Sequence, residues 1–211
     1  MSALDTILQH TRRDLAARWS PDAVRDLIAL AFGRAAPRSL EAALRRAPGA
    51  PPRVIAELKK ASPSRGLIRA DFRARELALS LEAAGAAALA VLTEPHFFMG
   101  SPETLQEVAS VVGIPLLRKD FIVDELQLLE ARAWGASAVL LIAAALTPAS
   151  YRRLYRGARG MGLEVLTEVH ARDELGMVLD AGAHMVGVNS RNLKTLEDRK
   201  STRLNSSHRI R

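Results

Sequence analysis

Three junctions in this chain nearly repeat one another: AAGAAALAVL from Ala83, AWGASAVLLI from Ala133 and DAGAHMVGVN from Asp180. In each, a glycine (Gly85, Gly135 or Gly182) stands where a helix ends in the left-handed conformation, which costs least for a residue without a Cβ. An alanine and a short apolar strand follow. A helix that stops on glycine and runs straight into an apolar strand is half of a βα unit. From residue 53 the strand-like runs are RVIAEL, AALAVL, IPLLRK, SAVLLIA, LEVLTEV and HMVGVN. Helical segments separate them, two opening on the cap signals Ser101-Pro102 and Thr147-Pro148. Strands that are apolar on both faces belong to a parallel sheet.

The chain before residue 53 follows a different pattern. Leu4, Ile7, Leu8 and Leu15 form one helical stripe, and Val24, Leu27, Ile28 and Ala31 form a second after Ser20-Pro21. A third, short helix is expected from Ser39 towards Arg46. The segment APGAPP (47–52) then breaks the pattern as a linker. The expected organisation is a helical extension over 1–52, a βα domain over 53–199 and a disordered basic tail over 200–211.

Parallel βα repeats build either a doubly wound sheet or a closed (β/α)₈ barrel. A dinucleotide-binding sheet needs a glycine-rich turn after its first strand, and KKASPSRG is not one. A barrel instead collects polar groups at the C-terminal ends of several strands. Residues two apart share a strand face. Glu57 and Lys59 therefore point the same way, as do Leu117 and Lys119, Leu166 and Glu168, and Asn189 and Arg191. In each strand the polar residue follows apolar positions, so one mouth could gather all four. Each also has a plain structural reading. Lys59 could be a solvated strand end paired with Glu57, and Lys119 half of a pair with Asp120. Glu168 could cap the next helix, and Asn189 could form a turn.

Composition narrows the function. The 211 residues contain no cysteine, which excludes disulfides, Cys-ligated metals and a thiol nucleophile. His10, His96, His170, His184 and His208 show no ligand spacing, so no metal is assigned. No apolar run reaches the roughly 18 residues of a membrane span, and the N-terminus lacks a signal-peptide core. A cytoplasmic protein is expected. The net charge is +7, but Lys200, Arg203, Arg209 and Arg211 in the tail supply four of those charges and leave +3 elsewhere. With only 4% aromatic residues, base-stacking platforms are scarce and no nucleic-acid partner is expected.

Five motifs, VIAELKKASPSRG, AVLTEPHFFMGSPETL, IPLLRKDFIVDELQ, EVLTEVH and VGVNSRNLKTLE, together resemble the indole-3-glycerol-phosphate synthase family of tryptophan biosynthesis. The likeness runs from near the N-terminus to about Glu197. It implies a (β/α)₈ TIM barrel with an N-terminal helical extension. It also implies a carboxy-lyase that turns 1-(2-carboxyphenylamino)-1-deoxyribulose 5-phosphate into indole-3-glycerol phosphate, CO₂ and water without a cofactor. By the same resemblance Lys119 is the acid that polarises the ketone in ring closure. Lys59 and Glu168 serve as acid and base in dehydration, and Glu57 holds Lys59. Ser62, Asn189 and Arg191 contact the substrate, a phosphorylated small molecule. The full-length relative is expected to be monomeric or weakly dimeric.

The tail departs from the family. Six units fill 53 to about 199, whereas the fold needs eight and typically ~250 residues. The tail STRLNSSHRIR matches neither missing strand, so the phosphate-binding loops of strands 7 and 8 are expected to be absent and activity impaired. Two alternatives remain at this point. One is another phosphate-binding barrel enzyme; the other is a non-catalytic fragment that holds a partner or a polyanion through its tail.

Overall fold

The computed structural model describes residues 2–189. Three helices come first: α1 (Ala3–Arg18), α2 (Pro21–Gly33) and α3 (Leu40–Leu44). Their starts are written locally. The hydroxyls of Ser2, Ser20 and Ser39 each accept a backbone N–H of the first turn, and Pro21 occupies the first helical position of α2.

The βα units follow as β1 (Ile55–Leu58), α4 (Ala74–Ala83), β4 (Ala88–Leu92), α5 (Pro102–Ala109), β5 (Leu116–Lys119), α6 (Leu126–Ala133), β6 (Ala138–Ile142), α7 (Pro148–Gly160), β7 (Glu164–Val169), α8 (Arg172–Asp180) and β8 (Val186–Val188). Two short strands, β2 (Ala61–Ser62) and β3 (Gly66–Leu67), form an antiparallel pair inside the loop after β1, a feature that KKASPSRG did not announce. The six long strands are all parallel and lie in the order β1-β4-β5-β6-β7-β8. Sequence order equals spatial order, which is the winding of a TIM barrel and not of a doubly wound sheet. Among the described residues β1 and β8 are the two edges, and the sheet amounts to six of a TIM barrel's eight units. Gly85, Gly135 and Gly182 have φ of 91°, 93° and 88°, as the repeated junctions require.

Alternation along the strands divides the apolar residues into two layers. Leu89, Val91, Val139, Leu141 and Val165 face the helices and pack with Leu105, Leu128 and Leu154. Ala88, Ala90, Leu117, Leu140, Ile142 and Leu166 face the lumen. The helical extension closes both ends of that lumen. At the N-terminal end, Leu40 and Leu44 of α3 join the inner layer. The Glu164 carboxylate at the start of β7 accepts from Ser39 Oγ and the Glu41 N–H, both at 2.7 Å, and fixes α3 there. Over the C-terminal end lies α1, with Leu4, Ile7 and Leu8 buried. Among the described residues no helix is long and apolar enough to cross a membrane.

Arg118, next to Lys119 on β5, points the other way and is 1% exposed among the helices. Its guanidinium donates to Thr93 Oγ1 (3.1 Å), the Gln127 carbonyl (2.7 Å) and Asp120 (2.9 Å), forms an ion pair with Glu130 (2.8 Å), and lies 4.5 Å over the Trp134 ring. Glu130 also accepts from Arg18 at 2.8 Å and Trp19 Nε1 at 2.9 Å, which anchors the C-terminal end of α1 to the barrel. Asp120 therefore belongs to Arg118, so the reading of Lys119 and Asp120 as a surface pair is wrong. Asp120 turns to Arg118, and Lys119 to Glu57.

Candidate active site at the barrel mouth

Five of the strand-end residues expected from the sequence meet in one place. Glu57, Lys59, Lys119, Glu168 and Asn189 line a cavity of about 140 Å³ at the C-terminal ends of the strands, together with the buried Ser62. Its apolar wall includes Leu4 and Ile7 of α1, Phe98 and Phe121. Beneath, the lumen holds a second space of about 310 Å³ that reaches Glu57, Lys119, Glu168 and Asn189 from below. Arg191 and the tail 200–211 lie outside the described residues.

Strand register explains who meets whom. Glu57 pairs in register with Ala90, and Ala90 with Leu117, one lumen-facing step below Lys119. Two interstrand spacings separate β1 from β5, about 10 Å. Only long side chains cross that gap, and Ala90 leaves room for them to pass. The Lys119 ammonium donates to Glu57 Oε2 at 2.5 Å, while Lys59 donates to Glu57 Oε1. Glu57 is thus a bridge between two lysines from different strands, not merely the partner of Lys59. Both ammonium groups are about one-third exposed, open to a ligand on one side and fixed by one carboxylate on the other.

Across the mouth, Asn189 Nδ2 donates to Glu168 Oε1 at 3.0 Å. Glu168 caps no helix; that task falls to Glu174, whose Oε2 accepts from the His170 and Ala171 N–H groups. Burial pushes the carboxyl of Glu168 up, but the nearby His170 imidazole, the hydrogen bond from Asn189 and the charge of Lys119 outweigh it, leaving the group below its ordinary value. At Glu57 burial is likewise opposed, here by the charge and hydrogen bond of Lys119 and the hydrogen bond of Lys59, and the carboxyl is again held low. Both acids are therefore ionised near neutral pH. The mouth combines two ammonium donors, an anionic acceptor free of them and an apolar wall of aromatic size. That set can polarise a carbonyl, move protons and seat a flat ring beside an anionic group.

A sequence model of indole-3-glycerol phosphate synthase matches residues 4–210. The chain belongs to this family. The match runs past Glu197, the limit of the motif likeness. Among its curated relatives, indole-3-glycerol phosphate synthase of Koribacter versatilis is 53% identical over 92% of this chain and 74% of its own length. The protein of the same name from Chlorobium phaeovibrioides is 49% identical over 92% of this chain and 75% of its own. Among solved structures, the 2-keto-3-deoxy-6-phosphogluconate aldolase of Zymomonas mobilis has a TM-score of 0.49 at 19% identity, covering 71% of this chain and 60% of that one. That likeness is too slight to bear on function. Membership in the synthase family makes the chain a carboxy-lyase of tryptophan biosynthesis by kinship.

Two parts of the site escaped the sequence reading. The sequence marks Leu4 and Ile7 only as members of a helical stripe and gives Phe98 and Phe121 no distinguishing pattern. Nothing in their local pattern separates a residue that lines a ligand cavity from one that fills a core. His170 was weighed only as a metal ligand, yet its position two residues after Glu168 puts both on one face.

Proposed function

We propose that this chain catalyses closure of the indole ring on 1-(2-carboxyphenylamino)-1-deoxyribulose 5-phosphate, giving indole-3-glycerol phosphate, CO₂ and water. The observation that carries the reading is the convergence of Lys59 and Lys119 on Glu57, opposite an ionised Glu168, beside an apolar wall. The proposed division of labour places residues 1–52 as an extension that roofs and floors the barrel, and 53–199 as the barrel that carries the chemistry.

Lys119 donates its proton to the ketone oxygen while the ring carbon bearing the carboxylate attacks the carbonyl carbon. A new C–C bond forms, and aromaticity is lost. Breaking the C–COO⁻ bond returns its electron pair to the ring and releases CO₂. The hydroxyl left at the former ketone carbon then departs as water with a proton from Lys59. Glu168 takes a proton from the adjacent carbon of the new five-membered ring, and the indole double bond forms. Glu57 accepts from both ammonium groups and so sets their separation. Asn189 orients Glu168, and Ser62 and Arg191 contribute to substrate binding. The aniline ring sits against Leu4, Ile7, Phe98 and Phe121, while the substrate's carboxylate and phosphate account for cations at the mouth.

Each proton transfer of this kind typically contributes about 10²–10⁴-fold. Indole fluorescence from the open-chain substrate measures the reaction. Lys119→Ala is expected to cut turnover by about 10² or more while the substrate still binds. Turnover within about tenfold of the parent would remove Lys119 from the ring-closure step.

A further inference from the structure

His170 leaves β7 on the same face as Glu168, and its side chain is only 8% exposed. Its Nε2 lies 3.3 Å from Glu168 Oε1, and its Nδ1 lies 3.8 Å from Glu174 Oε2. Glu174 is itself held, because its carboxylate receives the His170 N–H at 2.6 Å and the Ala171 N–H at 3.3 Å at the start of α8. The imidazole therefore lies between a carboxylate that caps a helix and a carboxylate that faces the cavity. Asn189 donates to the same oxygen, Oε1, that His170 approaches. Both of these contacts fall on Oε1 and not on Oε2.

We propose that His170 is a positioning residue for the Glu168 base, holding Oε1 from behind so that Oε2 meets the proton it must remove. This rests on the reading of Glu168 as the base of the dehydration step. Among the described residues, the groups facing Glu168 are Lys119 from β5, Asn189 after β8, and His170 with Glu174 behind it. Glu57 of β1 and Lys59 just after it stand across the mouth. A base turned away from its proton by an ångström loses one to two orders of magnitude in rate, whereas substrate binding through the lysines and the apolar wall is untouched. Removing His170 also removes a contact that stabilises the ionised carboxylate, so Glu168 must then take up its proton at higher pH.

The test compares His170→Phe, which keeps the ring volume without a donor, His170→Ala, and His170→Asn, whose amide can donate in place of the imidazole. The Phe and Ala variants should lose about tenfold or more in kcat with KM within about twofold. The acid limb of the kcat profile should move to higher pH. The carboxyl signal of Glu168 in a ¹³C-glutamate NMR titration, assigned by its loss in Glu168→Gln, should move the same way. His170→Asn should recover most of kcat. Parental kcat together with an unmoved Glu168 titration in the Phe variant would overturn the proposal. If Glu168→Gln itself turns over at the parental rate, the base assignment falls and the catalytic role of His170 falls with it. The NMR titration needs no turnover. It therefore separates a failed contact from a failed reading of the reaction.

Discussion

Glu130 offers the sharpest quantitative test of how the helical extension is held on the barrel. It is 0% exposed and has three charged or polar partners: Arg118 at 2.8 Å, Arg18 at 2.8 Å and Trp19 Nε1 at 2.9 Å. Replacing it with alanine leaves Arg118 buried with Asp120, Thr93 and the Gln127 carbonyl as its remaining partners. Removing one partner of a buried ion pair costs about 3–5 kcal/mol. The surviving bonds to Arg118 favour the lower end. The lost Trp19 hydrogen bond adds about 1 kcal/mol. A loss of about 3–5 kcal/mol is therefore expected for Glu130→Ala, a large share of the 5–15 kcal/mol typical of folded domains. Arg18 provides the internal control. It pairs with the same carboxylate but is 35% exposed, so Arg18→Ala should cost under about 1 kcal/mol. Urea unfolding gives both numbers. The chain's two tryptophans, Trp19 and Trp134, both touch this cluster, so their emission reports on it directly. Because α1 also lines the cavity through Leu4 and Ile7, loosening its anchor should raise KM as well. If Glu130→Ala unfolds within about 1 kcal/mol of the parent with unchanged emission, the buried network does not anchor α1.

Two further outcomes follow from local geometry. A Cβ on Gly100 would stand 2.6 Å from the Leu92 carbonyl carbon and 2.9 Å from the Thr93 nitrogen, both backbone atoms at the end of β4. Gly100→Ala should therefore destabilise the chain by about 1–3 kcal/mol in thermal unfolding, and parental stability would show that the loop yields freely. Burial raises the phenol of Tyr151 to about 12, against its hydrogen bond with Thr167, and burial also raises Tyr155. A raised folded value favours the neutral phenol, so this contribution to stability is complete below pH 10 and fades as pH rises towards about 12. These are the chain's only two tyrosines. Phenolate absorbance appearing near pH 10 while far-UV circular dichroism stays native would refute the burial argument.

What the sequence determined by itself was everything with a short period. Gly85, Gly135 and Gly182 marked helix ends, because a left-handed residue there has a local steric cause. The serine and threonine caps marked helix starts, and alternation put Glu57, Lys59, Lys119, Glu168 and Asn189 on the lumen face. The tertiary structure alone decided the pairings. Lys119 reaches Glu57 across 62 positions because β4 brings the small Ala90 between them at the right register, and no local window encodes the register of two strands. The same limit hid Arg118. Alternation turned it away from Lys119, but only the packing of α6 on the sheet supplied Glu130 and Trp134 to make its burial tolerable. His170 shows the limit from the other side. Its face was legible from its spacing to Glu168, whereas the carboxylate behind it belongs to α8, whose direction is set by packing against β7. Backbone sterics act within a few residues and are written in the chain. The distances between charged atoms are set by how strands shear and helices dock, and these depend on the whole buried surface at once.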